Sequence, residues 1–485
     1  MQRQRFGPRS EKLDPNQLLL FDEPAVEQPP VAPPAAPESI VREHRRSGGG
    51  RNGFPADLPR ETREYDLSDA EKACVCCGEL RVRIGSDSSE QLDYVPASLK
   101  IIEHVRYKYA CRKCAANVTR ATMPPQPIDK GVPGPGLLSA LVVGKYADHL
   151  PLYRLEDIFA RYGMELARST LCRWAAEVAE LVAPLYDLMV KRVLCSQNIH
   201  TDDTPVNVLD PNLPHCRPGR FWTYVGDVAN PYSVYVYTPR RQRDGPMKFL
   251  QDFTGYLQAD AFAGYDGIYA GGLVKQVLCW AHARRKFFEA KNVQPEPAHR
   301  ALGFIAQLYN VERAAKELAE REGWNLRDAD DGARWHAARH ELRQRQAVPI
   351  LNSLHEWLST PSRDVLPKSP VGQAVRYVLP RWDGFTRYCE NGALAIDNNL
   401  AERTLRLCAI GRKNWTFLGS DNGGRTAAVL FTLTASCKAN QVEPFAYLRD
   451  LLTELPALTA DTDLTGYLPD RWLLTHPDHH RPTSR

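Results

Sequence analysis

Three acidic residues sit in contexts that suit divalent-metal chemistry. Asp202 lies in the apolar-flanked stretch NIHTDDTPVNVL, Asp260 ends the stretch GYLQADAF, and Glu402 follows an Asn-Asn pair in NNLAERTLRLCAIGRKNW. Hard ions such as Mg²⁺ and Mn²⁺ prefer oxygen ligands, and two of them about 3.5–4 Å apart clamp the attacking and leaving oxygens of a phosphodiester. The chain has 58 acidic residues, so spacing alone selects no triple. Each residue also has a plainer reading. Asp202 or Asp203 begins a turn before Pro205, Asp260 closes a strand, and Glu402 is the third helical residue of a capping box on Asn399. Neighbouring strand residues point to opposite faces, so only one of Asp202 and Asp203 can join Asp260.

A second group of candidates is softer. Cys74-x-x-Cys77 and Cys111-x-x-Cys114 form two knuckles separated by 33 residues, which include the alternating run QLDYVPASLKIIEHVRYKYA. That spacing points to a tetrahedral Cys₄ site for one structural Zn²⁺, stapling a β module too small to fold alone. A redox pair is the alternative, and Cys76 is an extra thiol able to replace Cys77. Basic residues flank the acidic ones: Arg403, Arg406, Arg412 and Lys413 follow Glu402, and His282, Arg284, Arg285 and Lys286 lie further upstream. They read either as phosphate contacts or as a solvated face, with Arg406 pairing Glu402 one turn along the helix.

The carboxylates need elements to hold them. IHTDDTPVNVL, FWTYVGDV and YSVYVYTP read as three hairpin-like strands, MKFLQDF as a helix, and GYLQADAF and VKQVLCWA as further strands of a mixed α/β sheet. From about Ala283 to Glu390 the pattern is almost wholly helical and reads as an insertion. Ahead of the sheet, residues 135–193 carry helical periodicity. There LYRLEDIFARYGMELARSTLCRWAAEVAEL is a helix-turn-helix candidate, with Tyr162-Gly163 at the turn and Arg168, Ser169 and Thr170 opening the second helix. An ordinary helical hairpin fits the same pattern. The Pro/Ala-rich EPAVEQPPVAPPAAPESI and the Gly-rich SGGGRNG make a linker.

Composition narrows the class. Hydrophobic residues make up 43% and charged residues 25%, values of a globular protein rather than a disordered or membrane one. No apolar run approaches the ~18 residues of a membrane helix, and the basic N-terminus lacks the apolar core of a signal peptide, so the expected location is the cytoplasm. Twelve cysteines in such a chain favour a metal site or buried thiols over a disulfide framework. The net charge of +4 neither demands nor excludes nucleic acid.

TDDTPVNVLD, GYLQADAFAGYDGIY, CWAHARRKF, AIDNNLAERTLRLCAIGRKNWTFLGSDNGG and the early RFGPRSEKLDPNQLLLFDE together resemble the insertion sequence 66 family of bacterial transposases, in family order from the first residues to about Leu474. The resemblance implies a multidomain α/β protein. An N-terminal motif (1–22) and linker (23–60) precede a zinc-binding module (61–125) and a helical DNA-binding region (135–193). A ribonuclease-H-like mixed-sheet catalytic domain (195–430) carries the helical insertion (283–390), and a C-terminal helical region (431–475) comes last. It assigns the catalytic metal ligands to Asp202, Asp260 and Glu402, holding two Mg²⁺ or Mn²⁺ ions. It favours DNA contacts for Arg412 and Lys413 and a phosphate or leaving-group role for His282, with Arg284, Arg285, Arg406, Arg168 and Thr170 as further DNA-binding candidates. The implied partners are the element's terminal inverted repeats and target DNA, other copies of the chain on that DNA, and small accessory proteins of the same element. Family members usually begin with a long zipper-like helix before the RFG-x-x-SEKL motif. This chain starts almost at that motif, which leaves dimerisation through such a helix open. A non-catalytic DNA-binding repressor and a nuclease without strand transfer are the competing functions.

Overall fold

The alternating stretch NIHTDDTPVNV becomes the central strand of a mixed sheet in the computed structural model of the chain, which describes residues 98–109, 119–129, 131–326, 328–360 and 366–481. Cys74, Cys77, Cys111 and Cys114 lie outside the described residues. The chain divides into two units, residues 1–103 and 104–485. Described residues 98–103 of the first contain no helix or strand, and all the described helices and strands belong to the second.

The sheet strands are β1 (Asn198–Val208), β2 (Arg217–Val225), β3 (Ser233–Thr238), β4 (Gly255–Ala259), β5 (Val274–Leu278) and the short β6 (Phe417–Leu418). Their order is β3-β2-β1-β4-β5, with β6 beside the end of β1. β1, β2 and β3 run antiparallel as a meander, whereas β4 and β6 pair parallel to β1, and β5 parallel to β4. In β2 the run FWTYV is buried at every position, as a strand covered on both faces must be. The strand expected through VKQVLCWA stops at Leu278, because Trp280 already opens a helix and its ring fills the core.

Four helices precede the sheet: α1 (Pro135–Val142), α2 (Leu152–Arg161), α3 (Arg168–Leu181) and α4 (Ala183–Leu194). Short helices α5 (Asp244–Phe249) and α6 (Asp266–Tyr269) lie among the strands. After β5 come α7 (Trp280–Ala290), α8 (Pro295–Glu322), α9 (Ala329–Leu342), α10 (Val348–Ser359), α11 (Pro370–Val378) and α12 (Trp382–Thr386). The chain then returns through α13 (Asn399–Trp415), α14 (Asp421–Ala439), α15 (Pro444–Glu454) and α16 (Pro469–Thr475). α14 runs through residue 430, and its small buried face seals edge strand β3: Thr432 Oγ1 accepts from Tyr235 N–H at 2.9 Å and Ser436 Oγ from Ser233 N–H at 3.1 Å. An unpaired strand edge would otherwise invite another strand. Gly424 permits the close approach, since a Cβ there would lie 2.6 Å from the Tyr237 ring.

The helices from α7 to α12 have a core of their own, built on Trp280, Phe287, Ile305, Leu351 and Phe385, which joins the sheet at Val277 and Leu278 of β5. A buried ion cluster organises it. Glu312 on α8 receives Arg339 of α9 at 2.6 Å and Arg343, in the π-turn Arg343–Ala347, at 2.7 Å. Arg343 is fully buried and also donates to the carbonyls of Tyr388, Asn391 and Leu394, while Arg339 donates to that of Gly392. Gly392 lies so close beneath α9 that a Cβ would sit 1.8 Å from the His336 carbonyl oxygen. These arginines hold Glu312 below the usual carboxylate range despite its burial. Removing one member of such a cluster strands charge in the interior, at about 3–5 kcal/mol. Glu312→Gln is therefore expected to lower unfolding free energy by about 3 kcal/mol in urea titrations. Lys316→Ala, which breaks only an exposed pair with Glu320, should change it by less than about 0.5 kcal/mol.

Candidate functional site

The sheet and two helix N-termini meet around β1. Asp202 and Asp203 lie midway along β1, opposite Thr223 and Trp222 of β2. Asp260 follows the last residue of β4, and its carboxylate accepts from Phe262 N–H at 3.1 Å. Glu402 stands in the first turn of α13 and His282 in the first turn of α7.

Asp202 and Asp203 divide as their opposite faces require. Asp203 turns away into an arginine clasp, at 2.7 Å from Arg220 and 2.8 Å from Arg241, with only 3% of its side chain exposed. Asp202 has no ion-pair partner among the described residues. Its carboxylate accepts Asp203 N–H at 2.8 Å, and burial pushes its pKa up to about 7, helped by repulsion from Asp260, Glu402 and Asp203. Asp202, Asp260 and Glu402 thus lie within electrostatic reach of one another.

Glu402 does not cap its helix. Its Oε1 and the Nδ1 of His282 are buried, 3.7 Å apart and without a hydrogen-bond partner among the described residues. Buried polar atoms are normally satisfied, and a cation would satisfy a carboxylate oxygen here. Cys279 Sγ, His282 and Glu402 bring ligand atoms within 4.8 Å of one another. Burial pushes the Cys279 thiol up to about 12, however, so it stays protonated and is a poor ligand beside three carboxylates. The oxygen donors fit a hard divalent ion.

The capping work near Glu402 falls to its neighbours. Asp397 accepts from Asn399 N–H and side-chain amide, and from Tyr309 of α8 at 3.0 Å. Asn398, fully buried, donates its amide to Thr201 carbonyl at 2.8 Å, and its backbone N–H to Cys279 Sγ at 3.1 Å. Because that orientation leaves Asn398 Oδ1 as an acceptor, His200 Nδ1, 3.1 Å away, carries the proton. Burial lowers the His200 pKa to about 4, so the ring is neutral.

The basic candidates part company. Arg412 donates to Thr204 Oγ1 at 2.7 Å and to the Pro205 carbonyl, tying α13 to β1. Arg285, Arg406 and Lys413 are exposed. Arg284 lies over the Phe288 ring. Arg168 opens α3 and pairs with Glu156 of α2 at 2.9 Å, and Thr170 is half-buried beside it. Trp280 is core, with its indole donating to the Phe385 carbonyl, and Trp415 packs on the main core. Asn398, Tyr309, Arg220 and Arg241 are site residues that the sequence reading missed. Asn398 stood in plain view in the Asn-Asn pair before Glu402.

Residues 130–426 match the family model described as the Transposase IS66 family. Residues 71–115 match its zinc-finger binding domain, residues 1–63 the model described as Transposase C of IS166 homeodomain, and residues 432–469 the IS66 C-terminal element. The chain is 32% identical to the uncharacterised protein y4hP of Sinorhizobium fredii, over 97% of this chain and 87% of that protein. It is also 32% identical to the uncharacterised protein y4jD of the same organism, over 96% and 92%. Among the described residues no helix is long and apolar enough to cross a membrane.

Asp202 makes the site's charge measurable. A carboxyl whose folded pKa is raised stabilises the fold fully below its unfolded value near 3.8 and loses that contribution as pH rises through about 7. Melting temperature without divalent ions should therefore fall between pH 4 and pH 7–8, and Asp202→Asn should flatten that slope and melt higher than wild type at pH 8. Added Mn²⁺ should raise the wild-type melting temperature at pH 8 and leave the variant's nearly unchanged.

Proposed function

Since the chain belongs to the IS66 family of transposases, we propose that it binds the terminal inverted repeats of its element and cuts and joins DNA with Asp202, Asp260 and Glu402. The observation that carries this reading is the convergence of three carboxylates, one of them without a cation among the described residues, at the central strand of the sheet. The strand order β3-β2-β1-β4-β5, with a three-stranded meander and a parallel pair, supports a ribonuclease-H-like domain over residues 195–430. The helices of 283–390 are then an insertion within it. The regions 61–125, 135–193 and 431–475 are proposed as the zinc module, the end-recognition helices and the C-terminal region.

In cleavage a water oxygen bonds to phosphorus at the element's end while the bond from phosphorus to the 3′ oxygen breaks, leaving a 3′-hydroxyl. That hydroxyl oxygen then bonds to a target phosphorus as the target's own 3′ oxygen leaves, so phosphodiester bonds are exchanged one for one. Two Mg²⁺ or Mn²⁺ ions held by the three carboxylates would activate the attacking oxygen and stabilise the leaving one. Asp202 must lose its proton to serve, and its raised pKa makes that loss responsive to bound cation. His282 stands beside Glu402, where its imidazole can orient that carboxylate or pass a proton to the leaving 3′ oxygen. Exposed Arg285, Arg406 and Lys413 would hold the strand's phosphates, whereas Arg412 positions the helix. Copies of the chain on paired ends and small accessory proteins belong to the same proposal.

The test is Mn²⁺-dependent cleavage of duplex DNA carrying the element's terminal repeat. Wild type should cut. Asp202→Ala, Asp260→Ala and Glu402→Ala should each lose about a thousandfold or more in rate, a loss of ~4 kcal/mol of transition-state stabilisation. Asp203→Ala, which removes no proposed metal ligand but frees Arg220 and Arg241, should retain cutting at a reduced rate. Repeat binding without cleavage at any metal would replace this reading with that of a non-catalytic DNA-binding protein. Mass spectrometry under native conditions should find one zinc per chain, lost in Cys74→Ser and Cys111→Ser.

A further inference from the structure

Beyond the carboxylates, the connection from β3 to α5 reads Pro239-Arg240-Arg241-Gln242-Arg243, exposed throughout. Together with the start of β2 it walls a concavity of about 400 Å³ whose lining includes Arg217, Arg220, Arg240 and Arg241, with Asp210 and Leu213 on the β1–β2 connection completing it. Resting on the DNA-processing reading above, we propose that this concavity is a second DNA site, which grips the backbone of a single-stranded segment next to the strand being cut.

Four guanidinium groups facing one hollow repel one another unless anions neutralise them. Asp203 serves Arg220 and Arg241, and Asp210 and Asp421 serve Arg217. Arg240 has no hydrogen-bond or ion-pair partner for its guanidinium among the described residues. Arg243, three residues further along the same exposed connection, has Asp244 as its ion-pair partner among the described residues, at 3.8 Å. Arg240 and Arg243 therefore present planar cationic forks to solvent, the geometry that grips phosphate oxygens in pairs.

Its position ties it to the cutting site. Arg220 and Arg241 clasp Asp203, the residue after Asp202, and the Arg241 guanidinium lies 4.0 Å above the Phe262 ring. Phe262 in turn donates its N–H to Asp260. Arg220 and Arg241 stand on the Asp203 face of β1, opposite Asp202, and the hollow adjoins the cutting site through the Phe262 turn that follows Asp260, where a segment flanking the cut strand would reach it. Pockets of about 300–1,000 Å³ take small ligands. This one admits a nucleotide and its phosphate but not the width of a duplex, which selects an unpaired segment. The proline faces suit sugar and base, and the arginines suit the phosphates.

The test uses the full chain without added divalent ions and measures fluorescence anisotropy of two labelled probes, oligo(dT) and the matching dA·dT duplex, between about 50 and 200 mM salt. Arg240 and Arg243 are exposed, so R240A/R243A should fold, as a thermal melt would verify. Losing two single-strand phosphate contacts should reduce the slope of log K against log salt by about 1.4 and weaken oligo(dT) binding several-fold, with a smaller loss on duplex. R240K/R243K should restore the slope but only part of the affinity, because a lysine cannot fork. Unchanged oligo(dT) affinity and slope in R240A/R243A would overturn the proposal while leaving the cleavage reading intact. An equal loss on duplex overturns it also. If wild type binds neither probe at low salt, the proposal falls together with the DNA-processing function on which it rests.

Discussion

Asn398 makes four hydrogen bonds from the interior, and through them the segments that carry Asp202, His282 and Glu402 are fixed to one another. Its side chain holds β1 at His200 and Thr201, its backbone N–H reaches Cys279 before α7, and its carbonyl accepts Glu402 N–H at 3.3 Å to start α13. Each bond lies out of water, where an unmade partner is costly by about 1–3 kcal/mol. One amide thus joins the start of the Glu402 helix directly to the strand of Asp202, and Arg412 ties the same helix to that strand further along. A neutral His200 is part of the same arrangement: a charged ring there would lack solvent and would repel nearby arginines, which is why its pKa is driven down.

Around that anchor the fold separates charges that adjacent positions on a strand would otherwise confuse. Asp202 and Asp203 are neighbours in sequence, yet one is surrounded by carboxylates and the other by guanidinium groups. The pleat of β1 makes this possible, and the β2 residue Arg220 and the loop residue Arg241 complete it. Asp203 does more than balance charge. By holding Arg241 it keeps the β3–α5 loop against Phe262 and so against the turn that presents Asp260. Removing the charge of Asp202, buried among carboxylates with no cation among the described residues, would ease the fold.

How much of this was legible beforehand depends on the range of each interaction. Strand β1 was readable because alternation is local, and its neighbours emerged from the same pattern. The choice of Asp202 over Asp203 rested on a resemblance, since two adjacent carboxylates look identical until the arginines on β2 and the loop are placed. Glu402 read equally well as a capping residue on Asn399. Asp397 takes that capping role instead, a swap of five positions that no propensity scale distinguishes. Arg343 was hidden in ARHELRQRQ, a run that resembles any solvated helix, yet it is fully buried. Its partners at residues 388–394 are about fifty positions away, beyond any periodicity. Arg240 and Arg241 were passed over for the opposite reason, because exposed basic pairs are common and a concavity is not visible in one dimension.

The helices between β5 and α13 acquire a definite purpose from these contacts. A strand carboxylate is positioned by the sheet itself, but Glu402 rides on a helix that arrives after more than a hundred intervening residues. Left as a long loop, that excursion would let the helix start drift, and a site of like charges would push it away. The excursion instead folds on its own core, and its ion cluster clamps the incoming segment through the carbonyls of Tyr388, Asn391, Gly392 and Leu394. Tyr309 then secures Asp397, one residue before Asn398. Electrostatic repulsion within the site is therefore opposed by buried ionic bonds outside it, and loosening Glu312 should be felt at Glu402 although the two side chains never meet.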